Sequence, residues 1–263
     1  MKKLATSIIV AVLVAAFLTS GLLAGCVGGV VKGSGTLDTQ EFDFSGFDRV
    51  EVGYAFEVEI TQSSSYSVSI TADDNLFDYI LVSKQGTTLK IRLEPALHYA
   101  FTKLQAKITM PQLYGLELSG ATRGTVSGFS STDNIDIEMS GASSLNLVEL
   151  TAGDVRINIS GASSVTGDTA VGDADFTVSG ASTLQLEGSA SDIIVDASGA
   201  SRVKLAAFLV NNADVTLSGA SSGTVNLDGI LDANLSGASK LSYIGEPTMG
   251  TINTSGASTL SKK

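Results

Sequence analysis

One tetrapeptide recurs eight times in the second half of this chain, at intervals of 18 to 21 residues. A fixed period of this length is typical of a solenoid, in which each repeat is one coil that buries its apolar face only against its neighbours. The repeat therefore constrains the fold more than any other feature. The first copy reads Ser-Gly-Ala-Thr and the others Ser-Gly-Ala-Ser, and they begin at Ser119, Ser140, Ser160, Ser179, Ser198, Ser218, Ser236 and Ser255.

Apolar columns flank each tetrapeptide. The residues one and three positions before each serine are almost all apolar, and the residue between them is polar. This alternation predicts a strand with one buried face that enters the tetrapeptide. A mostly apolar column five positions after each serine predicts a second strand that leaves it. Its members are Gly124, Leu145, Val165, Leu184, Val203, Gly223, Leu241 and Leu260.

Stacking of such coils predicts an all-β protein with a parallel β-helix of about 19–20 residues per coil over residues 119–260. Strand twist favours the right-handed form. The rival architecture, a β-propeller, needs blades of about 40 residues, so two repeats for each blade would give only four blades. At each corner we expect Gly to permit the bend, Ala to point into the tight interior and the hydroxyls to bond to backbone freed by the turn.

Residues 36–118 differ in texture, being irregular, aromatic and rich in β-formers. Alternation at residues 56–60, 66–70 and 89–93 predicts half-buried strands, and Gln85-Gly86-Thr87 predicts a hairpin turn. The only helix-like piece is residues 73–80. We therefore expect an irregular β-rich part that leads into the repeats.

The N-terminus has the pattern of an export signal. Lys2 and Lys3 precede an uncharged apolar segment at residues 8–18, and Leu23-Ala24-Gly25-Cys26 resembles the lipobox of bacterial lipoproteins. Residues 1–25 are predicted to be a lipoprotein signal peptide, Cys26 the lipidation site and residues 26–35 a flexible tether. The alternatives are an ordinary cleaved signal with an incidental cysteine, or a retained membrane helix.

The charge and cysteine content limit the classes of partner and the covalent links that the chain can have. Loss of Lys2 and Lys3 with the leader leaves 14 basic residues against 27 acidic ones, a net charge of −13. This balance argues against nucleic acid or an anionic lipid surface as a partner. Cys26 is the only cysteine, so the chain can form no internal disulfide.

The acids of the repeats are the candidates for a catalytic or metal site. The column four positions before each serine holds Asp136, Asp175, Asp214 and Asp232, interrupted by Gly115, Arg156, Ile194 and Thr251. Stacked acids of this kind suit a divalent cation or a carbohydrate-active site, but a solvated face explains them too. The calcium-binding Gly-Gly-x-Gly-x-Asp motif is absent. No metal, cofactor or catalytic residue is predicted.

The remaining candidates favour structural roles. His98 is the only histidine, so a multi-histidine metal site within one chain is excluded. The one Gly-x-Ser-x-Gly match, at residues 219–223, falls within a tetrapeptide repeat, and eight equivalent copies argue against a single differentiated nucleophile, so a catalytic triad is not supported. Asp73, Asp74 and Asn75 are expected to cap a helix. Tyr99 and Phe101 fit either an exposed aromatic patch or burial in a strand.

Five ordered motifs resemble the putative auto-transporter adhesin head GIN domain family. They are residues 44–52 (FSGFDRVEV), 68–76 (VSITADDNL), 88–91 (TLKI), 106–111 (AKITMP) and 118–121 (LSGA), and the resemblance extends over residues 42–258. It implies a β-helical fold and an envelope or surface location, and it supplies no catalytic or binding residues.

Three functions remain open. The favoured one is a lipid-anchored module of the bacterial cell envelope that binds a glycan or protein through polar faces of the solenoid, without enzymatic activity. The alternatives are a structural scaffold that self-associates end to end, and a β-helix enzyme acting on carbohydrate.

Overall fold

The computed structural model describes residues 29–95, 97–100 and 102–263. Of these described residues, 61% are in strands and 3% are helical, so the fold is all-β. The N-terminal strands are β1 (Val30–Lys32), β2 (Leu37–Glu41), β3 (Arg49–Val52), β4 (Glu57–Gln62), β5 (Ser67–Asp73), β6 (Ile80–Gln85), β7 (Thr88–Leu93), β8 (His98–Ala100) and β9 (Leu104–Met110), with a 3-10 helix at Asp74–Tyr79.

Two strands follow for each repeat, one before and one after the tetrapeptide. They are β10 (Gly115–Leu118), β11 (Arg123–Ser127), β12 (Ile135–Met139), β13 (Ser144–Thr151), β14 (Val155–Ile159), β15 (Ser164–Ala170), β16 (Ala174–Val178), β17 (Thr183–Ser189), β18 (Asp192–Ala197), β19 (Arg202–Val210), β20 (Asn212–Leu217), β21 (Ser222–Leu227), β22 (Ile230–Leu235), β23 (Lys240–Ile244), β24 (Thr248–Thr254) and β25 (Thr259–Lys262).

The repeats stack as the sequence predicts. Strands that enter the tetrapeptides pair in parallel within an 11-stranded sheet, here called the first sheet, and strands that leave them pair within a 12-stranded second sheet. Like residues lie over like, as where Ile137 pairs with Ile157 and then Phe176. The apolar columns are buried between the two sheets. The parallel β-helix is thus confirmed.

Glycine is required at every tetrapeptide corner. All eight corner glycines adopt the left-handed conformation, with φ between +70° and +74°, which favours glycine strongly. From the second tetrapeptide onward, the N–H of the alanine that follows donates to the glycine carbonyl of the preceding coil, as Ala200 does to Gly180 at 2.8 Å. A Cβ on Gly199 would lie 2.6 Å from that same carbonyl oxygen. Close stacking and the bend both exclude a side chain.

The expectation that alanine points into the corner is wrong. The corner alanines are exposed, and the fourth residue of the tetrapeptide is buried instead, as are Thr122 and Ser143. The reason is the period of two: the fourth residue lies two positions before the buried column of the second strand, so it shares that inward face. The hydroxyls do bond to freed backbone, since Thr122 donates to the Ser119 carbonyl at 2.7 Å and Ser143 to that of Ser140 at 2.8 Å.

The N-terminal part supplies two more coils and a cap. Strands β3 and β4 pair in parallel with β10 and β11, so residues 49–62 form the coil next to the first tetrapeptide coil. Strands β7 and β9 pair in parallel on the other side of β3 and β4. The coil at residues 49–62 therefore lies between two coils that follow it in sequence. Strands β2, β5 and β6 then close this end by antiparallel pairing.

Local predictions in this cap have mixed outcomes. The hairpin turn is confirmed, because β6 and β7 pair as a hairpin around Gly86, with φ +59°. The helix cap is wrong: Asp73 makes no capping hydrogen bond to the 3-10 helix. Its buried carboxylate instead accepts the backbone N–H groups of Gly35 and Lys103, both at 2.8 Å. A carboxylate already desolvated gains more from two charge-assisted bonds to fixed amides than from capping a short helix.

The segment predicted to be a tether is held against the cap in the part that the structure describes. Strand β1 pairs in parallel with β8, and the Asn75 side chain accepts the Ser34 N–H at 2.9 Å and donates to the Lys32 carbonyl at 2.8 Å. The predicted signal peptide and Cys26 lie outside the described residues. None of the helical residues that the structure describes forms a segment long and apolar enough to cross a bilayer.

The corner geometry makes a stability prediction. Replacing Gly199 by Ala adds a methyl group at a left-handed φ and against the Gly180 carbonyl, so we expect the free energy of unfolding to fall by about 2 kcal/mol or more. Urea unfolding followed by circular dichroism measures this change. Ala200→Ser is the matched control, since its exposed side chain predicts a change within about 0.5 kcal/mol. Equal stability of the two variants would contradict the role of the corner.

Candidate functional site

The predicted aspartate column is a physical column on the outer face of the first sheet. Asp136, Arg156, Asp175, Ile194, Asp214 and Asp232 stack in register on successive strands. Their side chains face away from the core because the residues on either side of each belong to buried columns. Neighbours along the column lie about 4.8 Å apart, which is the strand spacing.

A second polar column, which the sequence analysis missed, lies two residues earlier, at the opposite corner from the tetrapeptides. We call it the Asx ladder, and it consists of Asn134, Asp154, Asp173, Asp192 and Asn212. In each case one side-chain oxygen accepts the backbone N–H of the next coil; for example, Asn134 accepts that of Asp154 at 2.8 Å and Asp154 that of Asp173 at 3.0 Å. The signal was present, because every member stands six positions before a tetrapeptide serine.

The two columns form the walls of one groove. It has a volume of about 560 Å³, is open to solvent, and follows the edge of the first sheet from Asn134 to Asp232. Buried apolar residues such as Val155 and Ile193 form its floor. The side chains of Ile194 and Ile230 lie in the same groove and are 56% and 47% exposed. The groove therefore combines a polar wall with isolated apolar contacts.

Charge gives the groove one dominant sign. Seven aspartates and a single arginine line it. Arg156 pairs with Asp175 on the next coil at 3.2 Å. Asp136 pairs at 3.5 Å with Arg49, which lies two coils away and reaches past Gly115. Ionised carboxylates only accept hydrogen bonds, so the groove suits a ligand rich in donors, such as sugar hydroxyls or the basic side chains of a protein. It disfavours nucleic acid and other anions.

A glutamate stack lies beside the groove on the same face. Glu51, Glu117 and Glu138 occupy consecutive strands in register. Partial desolvation, followed by the negative charges of Glu51 and Glu138, raises the pKa of Glu117, although its side chain still contacts solvent. Lys90 opposes the shift and forms an ion pair with Glu51.

The other sequence candidates lie apart from the groove. His98 is exposed at the start of β8, near the capped end. Tyr99 is half-buried and packs against the core margin, while Phe101 lies outside the described residues. The eight serines that begin the tetrapeptides lie at the corners of the coils, away from the groove. Within residues 29–95, 97–100 and 102–263, no three His, Cys, Asp or Glu side chains converge in a way that suits a metal ion.

Comparison with known proteins agrees with this architecture. The family described as "Putative auto-transporter adhesin, head GIN domain" matches residues 46–247. The chain belongs to this GIN domain family. No curated protein matches the chain. The family description suggests an adhesin-like role at the cell surface or envelope, and it names no enzymatic activity.

Several crystal structures share the fold. A "putative adhesin" from Parabacteroides distasonis superposes with a TM-score of 0.83 at 19% identity, covering 89% of this chain and 100% of that one. A "putative adhesin" from Bacteroides fragilis gives 0.71 at 22% identity, with 89% and 100% coverage. A "putative lipid binding protein" from Parabacteroides distasonis gives 0.77 at 18% identity, with 89% and 99% coverage. At these identities the similarity shows the fold alone.

The glutamate stack predicts a pH-dependent stability. A raised pKa means that the folded protein binds the Glu117 proton more tightly than the unfolded chain does, so stability is lost as pH rises through the folded pKa. Glu117→Gln should therefore raise the melting temperature at pH 7, and the gain should vanish in acid below the unfolded pKa. Melting curves from pH 3 to 8 test this. Asp196→Asn, on the same face, is the control; a gain independent of pH would contradict the assignment.

Proposed function

We propose that this protein is a lipid-anchored binding module of the bacterial cell envelope, adhesin-like, that contacts a glycan or protein ligand through the groove. The observation that carries the proposal is the pair of parallel polar columns along one edge of a rigid solenoid. Recognition of an extended ligand needs repeated contacts at a fixed spacing, and the stacked coils supply them about every 4.8 Å. The family description and the predicted export signal support the location.

The groove is built for binding rather than for chemistry. Catalysis by carboxylates requires two groups with different environments, one acid and one base or nucleophile. The groove repeats one environment, since each aspartate of the Asx ladder accepts a backbone N–H in the same way. Such repetition multiplies weak contacts with a periodic ligand, which raises avidity without a single dominant site.

The Asx ladder permits a clean test of the groove. The triple variant Asp154→Asn, Asp173→Asn and Asp192→Asn removes three charges but keeps the oxygen that accepts each backbone N–H, as Asn134 and Asn212 already do. We expect its stability to equal or slightly exceed that of the native protein, because like-charge repulsion falls. The measurement compares the native protein and the variant for capture of ligands from envelope extract and for binding to a glycan array. We expect binding by the variant to fall at least tenfold.

A charge-matched control lies on the second sheet. Glu149→Gln, Asp168→Asn and Glu187→Gln remove three exposed charges from the opposite face, away from the groove. This variant should bind as the native protein does. Equal binding by the groove variant and the control, or no captured ligand at all, would overturn the groove as the binding site. Binding through charge should also weaken as ionic strength rises.

The lipid anchor has its own test. In cells that express the full chain, Cys26→Ser should move the protein from the membrane fraction to the soluble or secreted fraction and should abolish labelling by an alkyne fatty acid. The reason is that Cys26 is the only thiol on which the lipid can be placed. Ala24→Ser, which keeps a small residue before the cysteine, is the control. Unchanged labelling of the Cys26→Ser variant would contradict the lipid anchor.

A further inference from the structure

The corner of the coil at residues 49–62 departs from its neighbours. Glycine occupies the same position at all eight tetrapeptide corners, but Tyr54 occupies it here, with φ +63°. Ala55 follows with φ +65°. Gly120 stacks directly on this corner, where an added Cβ would lie 3.1 Å from the Tyr54 nitrogen. Two consecutive left-handed residues with side chains are strained, and glycine would relieve the strain. In proteins generally, residues with strained backbone conformations cluster at functional sites.

The strained corner presents an aromatic ring to solvent. Tyr54 is 42% exposed. Its corner lies against the segment that follows β7, because Val52 pairs with Ile91, and that segment carries Glu94 and the half-buried Tyr99. The rings of Tyr79 and Tyr99 meet edge to face, with centroids 6.2 Å apart and planes at 70°. We call the three tyrosines the tyrosine patch. Edge-to-face packing fixes the orientation of both inner rings.

Separate elements hold the patch in place. Tyr79 ends the 3-10 helix, and its carbonyl accepts the Glu94 N–H at 2.8 Å. Tyr99 lies in β8 opposite Val31 of β1, and its hydroxyl donates to the Glu94 carbonyl at 2.9 Å. Gly53, just before Tyr54, donates its N–H to the Ile91 carbonyl at 3.2 Å. The backbone at all three positions is therefore held by neighbouring segments, which reduces the ordering cost of receiving a ligand.

The polar groups around the patch suit a ligand with hydroxyl groups. Burial, followed by the negative charge of Glu94 and by Tyr79 and Tyr54, raises the pKa of Tyr99. Because its single O–H already donates to the Glu94 carbonyl, the Tyr99 oxygen can only accept a hydrogen bond from a ligand hydroxyl. The exposed Glu94 carboxylate adds an acceptor, and the exposed His98 stands one residue before Tyr99. A pyranose has an apolar C–H face that stacks on aromatic rings and a rim of hydroxyls that both donate and accept. Nucleobases also stack on aromatic rings, but the acidic chain repels their phosphates.

We propose that the tyrosine patch is a saccharide-binding site, in which Tyr54 stacks on the apolar face of a pyranose unit and Glu94 accepts its hydroxyls. The site is separate from the groove, because the tyrosine patch lies at the corner stacked on the tetrapeptides and the Asx ladder lies at the opposite corner of the coils. An open patch of this kind accepts one unit within a longer glycan. The solenoid would then hold two binding surfaces on opposite edges.

Tyr54→Gly separates binding from stability. A purely structural tyrosine would lower the melting temperature when removed, whereas glycine at a left-handed position should hold or raise it. We expect this variant to melt at or above the native temperature and to lose at least tenfold in affinity for the oligosaccharides that the native protein retains on a glycan array, measured in solution by saturation-transfer NMR. Tyr114→Ala, which removes a tyrosine remote from the patch, should bind as the native protein does.

Every outcome decides the proposal. Loss of binding in Tyr54→Gly but not in Tyr114→Ala supports it. Failure of the native protein to bind any oligosaccharide on the array overturns it, as does full binding by Tyr54→Gly. Binding of phosphocholine but of no oligosaccharide overturns it in favour of a cation–π cage. The triple Asx-ladder variant should keep its binding at the patch, so failure of the groove and failure of the patch are distinguished.

Discussion

The hydrogen bond from a corner alanine N–H to the glycine carbonyl of the preceding coil, repeated seven times from Ala142 to Ala257, is the interaction on which the architecture depends. It brings neighbouring corners so close that no Cβ fits on Gly199 or its equivalents, and it requires the left-handed backbone that glycine adopts without strain. Once the corners are in register, the strands on both sides must be in register too. The apolar columns then close over one another and form a continuous core between the two sheets. Each coil depends on its neighbours for this burial, as in other solenoids.

The tetrapeptide corners are nearly invariant in sequence, so the residues that vary between coils lie elsewhere on the solenoid. The Asx ladder shows how the opposite corner is stabilised differently, by side-chain oxygens that accept backbone N–H groups of the next coil. This arrangement places carboxylates in a solvent-open groove while part of each is used for structure. The coil at residues 49–62 shows the converse, since it carries Tyr54 where glycine would be less strained. The Asx ladder thus uses the same residues for the fold and for the solvent-exposed surface, whereas Tyr54 is exposed at the cost of backbone strain.

Elements that depend on a local sequence pattern alone were predicted correctly. Alternation before each serine predicted the first sheet, and Gly86 between two apolar runs predicted the hairpin. Sequence reasoning failed where the direction of one side chain depended on a neighbouring turn: alanine was expected inside the corner, yet Ser143 is buried there. It failed again at Asp73, whose partners Gly35 and Lys103 are distant in sequence. The aspartate column was predicted in place, but the groove was not, because its second wall stabilises a corner that the repeat does not mark with an invariant residue.

The sequence by itself determined the repeat, its period, the buried columns and the family, since all of these are local patterns that recur at a fixed spacing. The tertiary structure alone decided that the coil at residues 49–62 stacks between two later coils, because parallel pairing can join strands in an order that differs from the chain. It also decided that Tyr79 and Tyr99 pack together and that the corner of Tyr54 lies against the segment that carries Tyr99, since these residues come from a 3-10 helix, a short strand and a corner. Neither arrangement has a period to reveal it, because each is formed once, by contacts between segments that are distant in sequence.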